Sequence, residues 1–189
     1  SDLAEVVPGF ETAKGVGSGS GFVLRGIGSY GVGAAVVSSI VTSINGHSTN
    51  PSWFVETGLL DIERIEVLQG PQGTKFGRNS VQGVINLVTK RPTDEFEGYV
   101  NVEAGSYDRK LVTGAINMPF SDSVRGRLAF GSNTRKGMVE NVATGNLMDD
   151  RNDASVRLSL DWDINDTTEL RFTYSGQKED DNRPQEETS

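Results

Sequence analysis

The sequence contains no cysteine and a single histidine, His47. Without thiols there is no disulfide framework and no thiolate metal site, and one imidazole falls short of the ligand set a transition metal needs. Positive charge is scarce as well: 18 Lys and Arg stand against 26 Asp and Glu, a formal net charge of -8. Neutralising phosphates needs the opposite excess, so a nucleic-acid partner is disfavoured. No apolar run is long enough for a spanning helix. That does not exclude a membrane strand, in which only alternate residues are apolar. Ser1 begins polar sequence with no signal peptide, so an exported protein would start further upstream.

What is present is glycine, 23 of 189 residues, among short β-branched and alternating stretches. Helical periodicity does not persist; residues 54–62 are the nearest candidate for a short helix. The pattern changes near Arg91-Pro92-Thr93, giving two regions, 1–93 and 94–189. The first has short strand candidates at 21–25, 36–44, 62–68 and 84–89, separated by glycine-rich loops, with Asn45-Gly46 as a tight turn. It reads as a compact α+β unit.

The second region holds five longer strand candidates with strict alternation, at 96–105, 109–118, 124–131, 154–164 and 168–175. Val100, Val102, Leu128, Phe130, Leu158 and Leu160 fall on the apolar side. Glu103, Arg125, Arg127, Arg157 and Arg171 fall on the other. Alternation fits any sheet with one wet face. The lengths, near the roughly 9 to 11 residues of a tilted membrane strand, favour a transmembrane antiparallel β-barrel over a soluble sandwich. So do the connections: tight turns at Ser121-Asp122-Ser123 and Asn165-Asp166-Thr167, and a long polar loop at 134–153 between them. Gly105-Ser106-Tyr107-Asp108 is a short outer connection. Trp162 and Tyr174 are expected near strand ends, at an aromatic girdle. Since single-chain barrels start at about eight strands, five cannot close, and the chain reads as a fragment. The polar tail 177–189 resembles an outer loop cut midway.

Several motifs carry a chemical suggestion. Gly26-Ile27-Gly28-Ser29-Tyr30-Gly31 matches the dinucleotide pattern G-x-G-x-x-G, but residues 36–44 are poor helix material and no acidic residue follows before Glu56. An exposed glycine loop is the better reading. Asp161, Asp163 and Asn165 have the opening spacing of a calcium loop, yet Asp166 and Phe172 stand where that loop needs glycine and a bidentate glutamate. A polar turn between strands fits better. Asp149, Asp150 and Asp153 are expected in a solvated loop, and His47 on a surface loop. No G-x-S-x-G elbow exists, and no cofactor or enzymatic activity is expected.

The most specific stretch runs from Glu63-Arg64-Ile65-Glu66-Val67-Leu68-Gln69-Gly70-Pro71-Gln72-Gly73 through Gly77 to Gly83-Val84-Ile85-Asn86-Leu87-Val88-Thr89-Lys90-Arg91-Pro92. Physically it is a strand, a Gly-Pro turn, a glycine-punctuated loop and a buried strand stopped by proline. This stretch resembles the plug motif of TonB-dependent receptors. Val7-Pro8-Gly9-Phe10 and Val23-Leu24-Arg25-Gly26 are similar to that plug's "VPGV" and "IRG" elements. Phe96-Glu97-Gly98 and Gly105-Ser106-Tyr107-Asp108 are similar to the family's first barrel strand and hairpin.

The resemblance implies an outer-membrane receptor of a Gram-negative bacterium, with a barrel of about 22 strands whose lumen is closed by the plug. Its partners would be outer-membrane lipid, a scarce nutrient, usually a ferric siderophore, and TonB, engaging a segment upstream of Ser1. In the family, two arginines pair with barrel glutamates and hold the plug. Arg25 matches the first; Gln69 stands in place of the second. Gly70, Pro71, Gly73 and Gly77 match the turn of the plug motif. By position, Lys14, Ser29, Tyr30, Ser48 and Trp53 lie on loops that contact the ligand. The alternative is a soluble or surface β-rich binding module without transport.

Overall fold

The computed structural model describes residues 10–14, 20–24, 27–28, 40–49, 60–70, 72–73, 80, 83–140, 147–148 and 150–180. The chain divides into two compact units, Ser1–Thr89 and Lys90–Glu187.

In the first unit, β1 (Phe10–Lys14), β2 (Ser20–Leu24) and β3 (Ile27–Gly28) form an antiparallel meander. A second sheet contains β4 (Ile40–Ile44), β5 (His47–Thr49), β6 (Ile62–Gln69) and β7 (Gly83–Thr89), in the order β5-β4-β7-β6. Asn45 and Gly46, at φ 51° and 83°, make the two-residue turn from β4 to β5. Such primed turns need positive φ at both central positions, which Asn-Gly supplies at least cost. β7 runs parallel to β4 and antiparallel to β6. Flanked on both edges, it is the most buried strand, with Val84, Ile85 and Leu87 as the core. Each such side chain contributes about 1.5 to 3 kcal/mol through removal from water.

In the second unit, β8 (Glu97–Gly105), β9 (Arg109–Ser121), β10 (Val124–Arg135), β13 (Arg151–Asn165) and β14 (Thr168–Glu179) form one five-stranded antiparallel meander. Between β10 and β13 lies a small hairpin of β11 (Val139–Glu140) and β12 (Leu147–Met148). The turns at 122–123 and 166–167 are two residues each, as the sequence suggests. Apart from register shifts beside the two tight turns, odd-numbered residues of all five strands share one face and even-numbered residues the other. On the even face, aromatic rings lie over glycines. A Cβ on Gly114 would meet the Phe130 ring at 2.6 Å, and one on Gly126 the Phe120 ring at 2.6 Å. Glycine leaves the space that each ring fills.

The strands outrun their hydrophobic pattern. β10 continues to Arg135 and β13 begins at Arg151, because Asn133, Thr134 and Arg135 pair with Asp153, Asn152 and Arg151. The expected loop 134–153 is shorter by that much, and β14 reaches Glu179, beyond the expected end at 175. Backbone pairing needs no apolar side chain, so alternation marks only part of each strand. Tyr174 consequently sits in the middle of β14, opposite Leu158, not near its end; Trp162 does lie close to a turn, opposite Val124 and Leu170. Ile62 opens β6, and the rest of the helix candidate at 54–62 falls largely outside the described residues.

Candidate functional site

The five-stranded sheet of the second unit has the reverse of a soluble protein's faces. On the odd face, Arg127 and Arg157 are each 4% exposed, Asp161 1% and Asn117 0%. On the even face, Val102 is 71% exposed, Phe172 55% and Leu158 42%. Charges are almost never covered unless paired, and a large apolar face in water favours association. A sheet built this way has its polar side inward and its apolar side toward an apolar medium.

The polar face is organised in rows. Glu97, Asn117, Arg127, Ser159 and Thr173 lie on one row across the strands. Arg127 Nη1 reaches past β9 to donate to Glu97 Oε1 at 3.1 Å. On the next row toward the short turns, Arg125 donates to Asp163 at 2.6 Å and to Asp94 at 3.1 Å. Asp161 accepts from Arg171 at 3.0 Å and from Arg91 at 2.8 Å. Glu169 pairs with both arginines, closing a four-membered ring of alternating charge. Asp161, the buried carboxylate of this face, thus has two cationic donors, which is what makes its burial tolerable.

Across this end of the face runs a strap, residues 91–95. Asn117 Oδ1 accepts the Thr93 N–H at 2.9 Å, while Nδ2 donates to the carbonyls of Thr93 and Glu95 at 2.8 and 2.6 Å. Lys90 lies over the Tyr99 ring, 5.7 Å from its centroid. Neither Asn117 nor the strap carries a signal in the sequence, where an asparagine on a strand's wet face looks solvated. Asp161, Asp163 and Asn165 are not a turn: they lie on β13, and only Asp166 and Thr167 turn. Among the described residues no acidic or histidine cluster is arranged to hold a metal ion.

In the first unit, Gln69 ends β6, exposed and opposite Gly83, and Gly70 takes φ 84°, a conformation glycine adopts without a Cβ penalty. Gln72 N–H donates to the Ser80 carbonyl at 2.9 Å, and Gly73 is exposed. Arg25, Pro71, Gly77, Ser29, Tyr30 and Trp53 lie outside the described residues. Three expected loop positions are strand residues. Lys14 ends β1 opposite Ser20, and His47 and Ser48 belong to β5, exposed, opposite Ile44 and Ser43. Ile27 and Gly28, read as loop, pair with Leu24 and Val23. These pairings, of two to five residues, are too short to leave a periodic signal.

A family model, the TonB-dependent receptor plug domain, matches residues 1–84. Those residues are similar to the plug domain of TonB-dependent receptors. Curated relatives align over part of the chain. The ferripyoverdine receptor of Pseudomonas aeruginosa is 42% identical over 67 residues, 34% of this chain and 8% of that protein. The pesticin receptor of Yersinia pestis is 35% identical over 92 residues, 46% of this chain and 13% of that protein. The fold extends past the plug. The ferric yersiniabactin uptake receptor from Yersinia pestis superposes on 93% of this chain with a TM-score of 0.80 at 24% identity, using 28% of its own length. The pyoverdine outer membrane receptor from Pseudomonas aeruginosa gives 0.69 over 90% of this chain at 23% identity, using 23% of its length. The chain therefore spans about a quarter of these receptors, and its fold is that of a plug followed by barrel strands.

Proposed function

We propose that the chain supplies the plug and the first wall strands of a receptor that imports a ferric siderophore across the outer membrane, energised by TonB. The plug is read as residues 1–93 and the wall as 94–189. The observation that carries the reading is the reversed sheet beside a plug domain: charged residues covered on one face, and Val102, Leu158 and Phe172 open on the other. A soluble binding module would leave that apolar face in water, at a cost that lipid removes. The curated relatives support the substrate class, since those aligned here include a ferripyoverdine receptor and a ferric enterobactin receptor. The role is binding and translocation, and it calls for no catalytic residue. Growth of a deletion strain on a panel of ferric siderophores under iron limitation tests it. Loss of growth on one source, restored by the full-length gene, is the expected result; unchanged growth on every source, with unchanged uptake of labelled iron, would overturn it.

A further inference from the structure

The strap at 91–95 is attached to the wall by side chains at separate points. Asn117 makes three hydrogen bonds to its backbone, an acceptor for one N–H and a donor to two carbonyls. An amide offers both roles at once, as strand backbone does; a carboxylate or an alkyl group cannot. To one side, Arg91 is held by Asp161 of β13; to the other, Asp94 is held by Arg125 of β10. Pro92, between these points, is buried. The strap is thus fastened to β9, β10 and β13 together.

This arrangement matters because β8 starts at Glu97, immediately after the strap, and pairs along its length with β9. The chain is continuous, so a pull on the first unit is carried along it into residues 90–96. Without fastening, tension would load the β8–β9 ladder from its end, and its hydrogen bonds would break one at a time. With fastening, the load falls on several contacts to three strands at once, which must fail together.

We propose that residues 91–95 are a mechanical anchor, in which Asn117 and Asp161 hold the strap to the wall so that force applied to the plug ends at the strap and does not peel β8 from β9. This rests on the import reading, which supplies the pull. Asn117 and Asp161 are positioning residues, not ligand-binding ones.

These 189 residues hold no cysteine, so the reporters are introduced singly, into a full-length receptor in which any cysteine beyond them is replaced by serine. In the full-length receptor in cells, Thr89→Cys reports on the first unit and Pro92→Cys on the strap; both positions are buried. Maleimide labelling is compared with and without an uncoupler. The expected result is several-fold faster labelling of Thr89→Cys in energised cells, with Pro92→Cys slow in both states. Adding Asn117→Asp, which keeps the acceptor for Thr93 N–H but sets a carboxylate against two carbonyls, should make Pro92→Cys label in an energy-dependent way. If Asn117→Asp assembles poorly, Asp161→Asn, which weakens the hold on Arg91, takes its place. Energy-dependent labelling of Pro92→Cys in the otherwise unaltered receptor overturns the anchor alone, as does continued protection in both variants. No energy response at Thr89→Cys overturns the import reading, and the anchor with it.

Discussion

Asp161 and Arg171 stand opposite each other on β13 and β14, with Arg171 Nε 3.0 Å from Asp161 Oδ1, on the face that buries its charges. One residue along each strand, Leu160 and Phe172 pair on the other face. A slip of one residue would exchange these pairs and put the ring of alternating charges into the apolar medium. The ion pairs therefore report the register of the sheet as well as stabilising it.

Neighbouring substitutions on β14 should separate the two faces. Arginine near mid-bilayer on the lipid side of a barrel costs about 2 to 4 kcal/mol. Phe172→Arg is expected to reduce the amount of folded, heat-modifiable receptor in the outer membrane, and Thr173→Arg to leave it near normal. Equal assembly of the two variants would show that the faces have been assigned wrongly.

Asn86 is the hub of a buried polar network in the first unit. Its Oδ1 accepts from Ser43 Oγ at 2.8 Å and from Gly46 N–H at 2.9 Å, and its Nδ2 donates to Glu66 at 2.9 Å. Asn86→Leu would strand the Ser43 hydroxyl, which is 0% exposed, and the Gly46 amide. The buried hydroxyl, left unpaired, costs about 1 to 3 kcal/mol, while the exposed Gly46 amide turns to water. Hydrogen exchange at the Gly46 amide in the full chain should lose protection accordingly, while Asn86→Asp, which keeps the acceptor, should lose less. Identical exchange in the two variants would remove Asn86 as the hub.

The longer strands were largely legible in the sequence, because β7 is a near-continuous apolar run and β8, β9, β10, β13 and β14 alternate; the two-residue strands β11 and β12 fall within the expected loop 134–153. The extended ends of β10 and β13 were not, since Asn133 to Arg135 and Arg151 to Asp153 pair through backbone while their side chains are polar. The strap was not legible either: Asn117 meets Thr93 and Glu95 only after the chain has doubled back, and no local pattern encodes a contact across 24 positions. Asp161 and Asp163 fall within the strand candidate 154–164 and do lie on β13, whereas Asn165, expected in the turn, is the last residue of that strand. Of the expected ligand-contacting residues, the sequence placed Lys14 and Ser48 on loops, but both lie in short edge strands.

Gly83 should tolerate no side chain. A Cβ there would lie 2.5 Å from the Leu68 carbonyl oxygen, a backbone atom of the paired strand that cannot swing aside. Gly83→Ala is expected to force β6 and β7 apart at Gln69, costing about 1 to 3 kcal/mol as an overpacked site does. Urea unfolding of the receptor followed by proteolysis of the first unit would measure it. An unchanged midpoint would mean that the ladder relaxes without loss.

The turn between β8 and β9 should respond to acid. Tyr107 and Asp108 hold φ of 59° and 54°, and the Tyr107 carbonyl accepts Lys136 N–H at 2.9 Å. The Asp108 carboxylate lies 3.3 Å from Lys136 Nζ and 3.5 Å from Lys110 Nζ. Lys136, by hydrogen bonding, and then Lys110, by charge, hold the Asp108 carboxyl below the usual aspartate range. A depressed carboxyl contributes stability that is present above its unfolded pKa and is lost as pH falls through the lower, folded one. The pairing should therefore be intact at neutral pH and fail only below the ordinary aspartate range. Because the group is fully exposed, salt should weaken the shift, with a screening length near 10 Å at about 0.1 M. A carbon-detected titration of the Asp108 carboxyl should show its midpoint rising in Lys136→Gln, and rising less in Lys110→Gln. If Lys136→Gln left the midpoint where it was, the pairing seen across the turn would have no electrostatic weight, and the carbonyl of Tyr107 alone would be holding Lys136 in place.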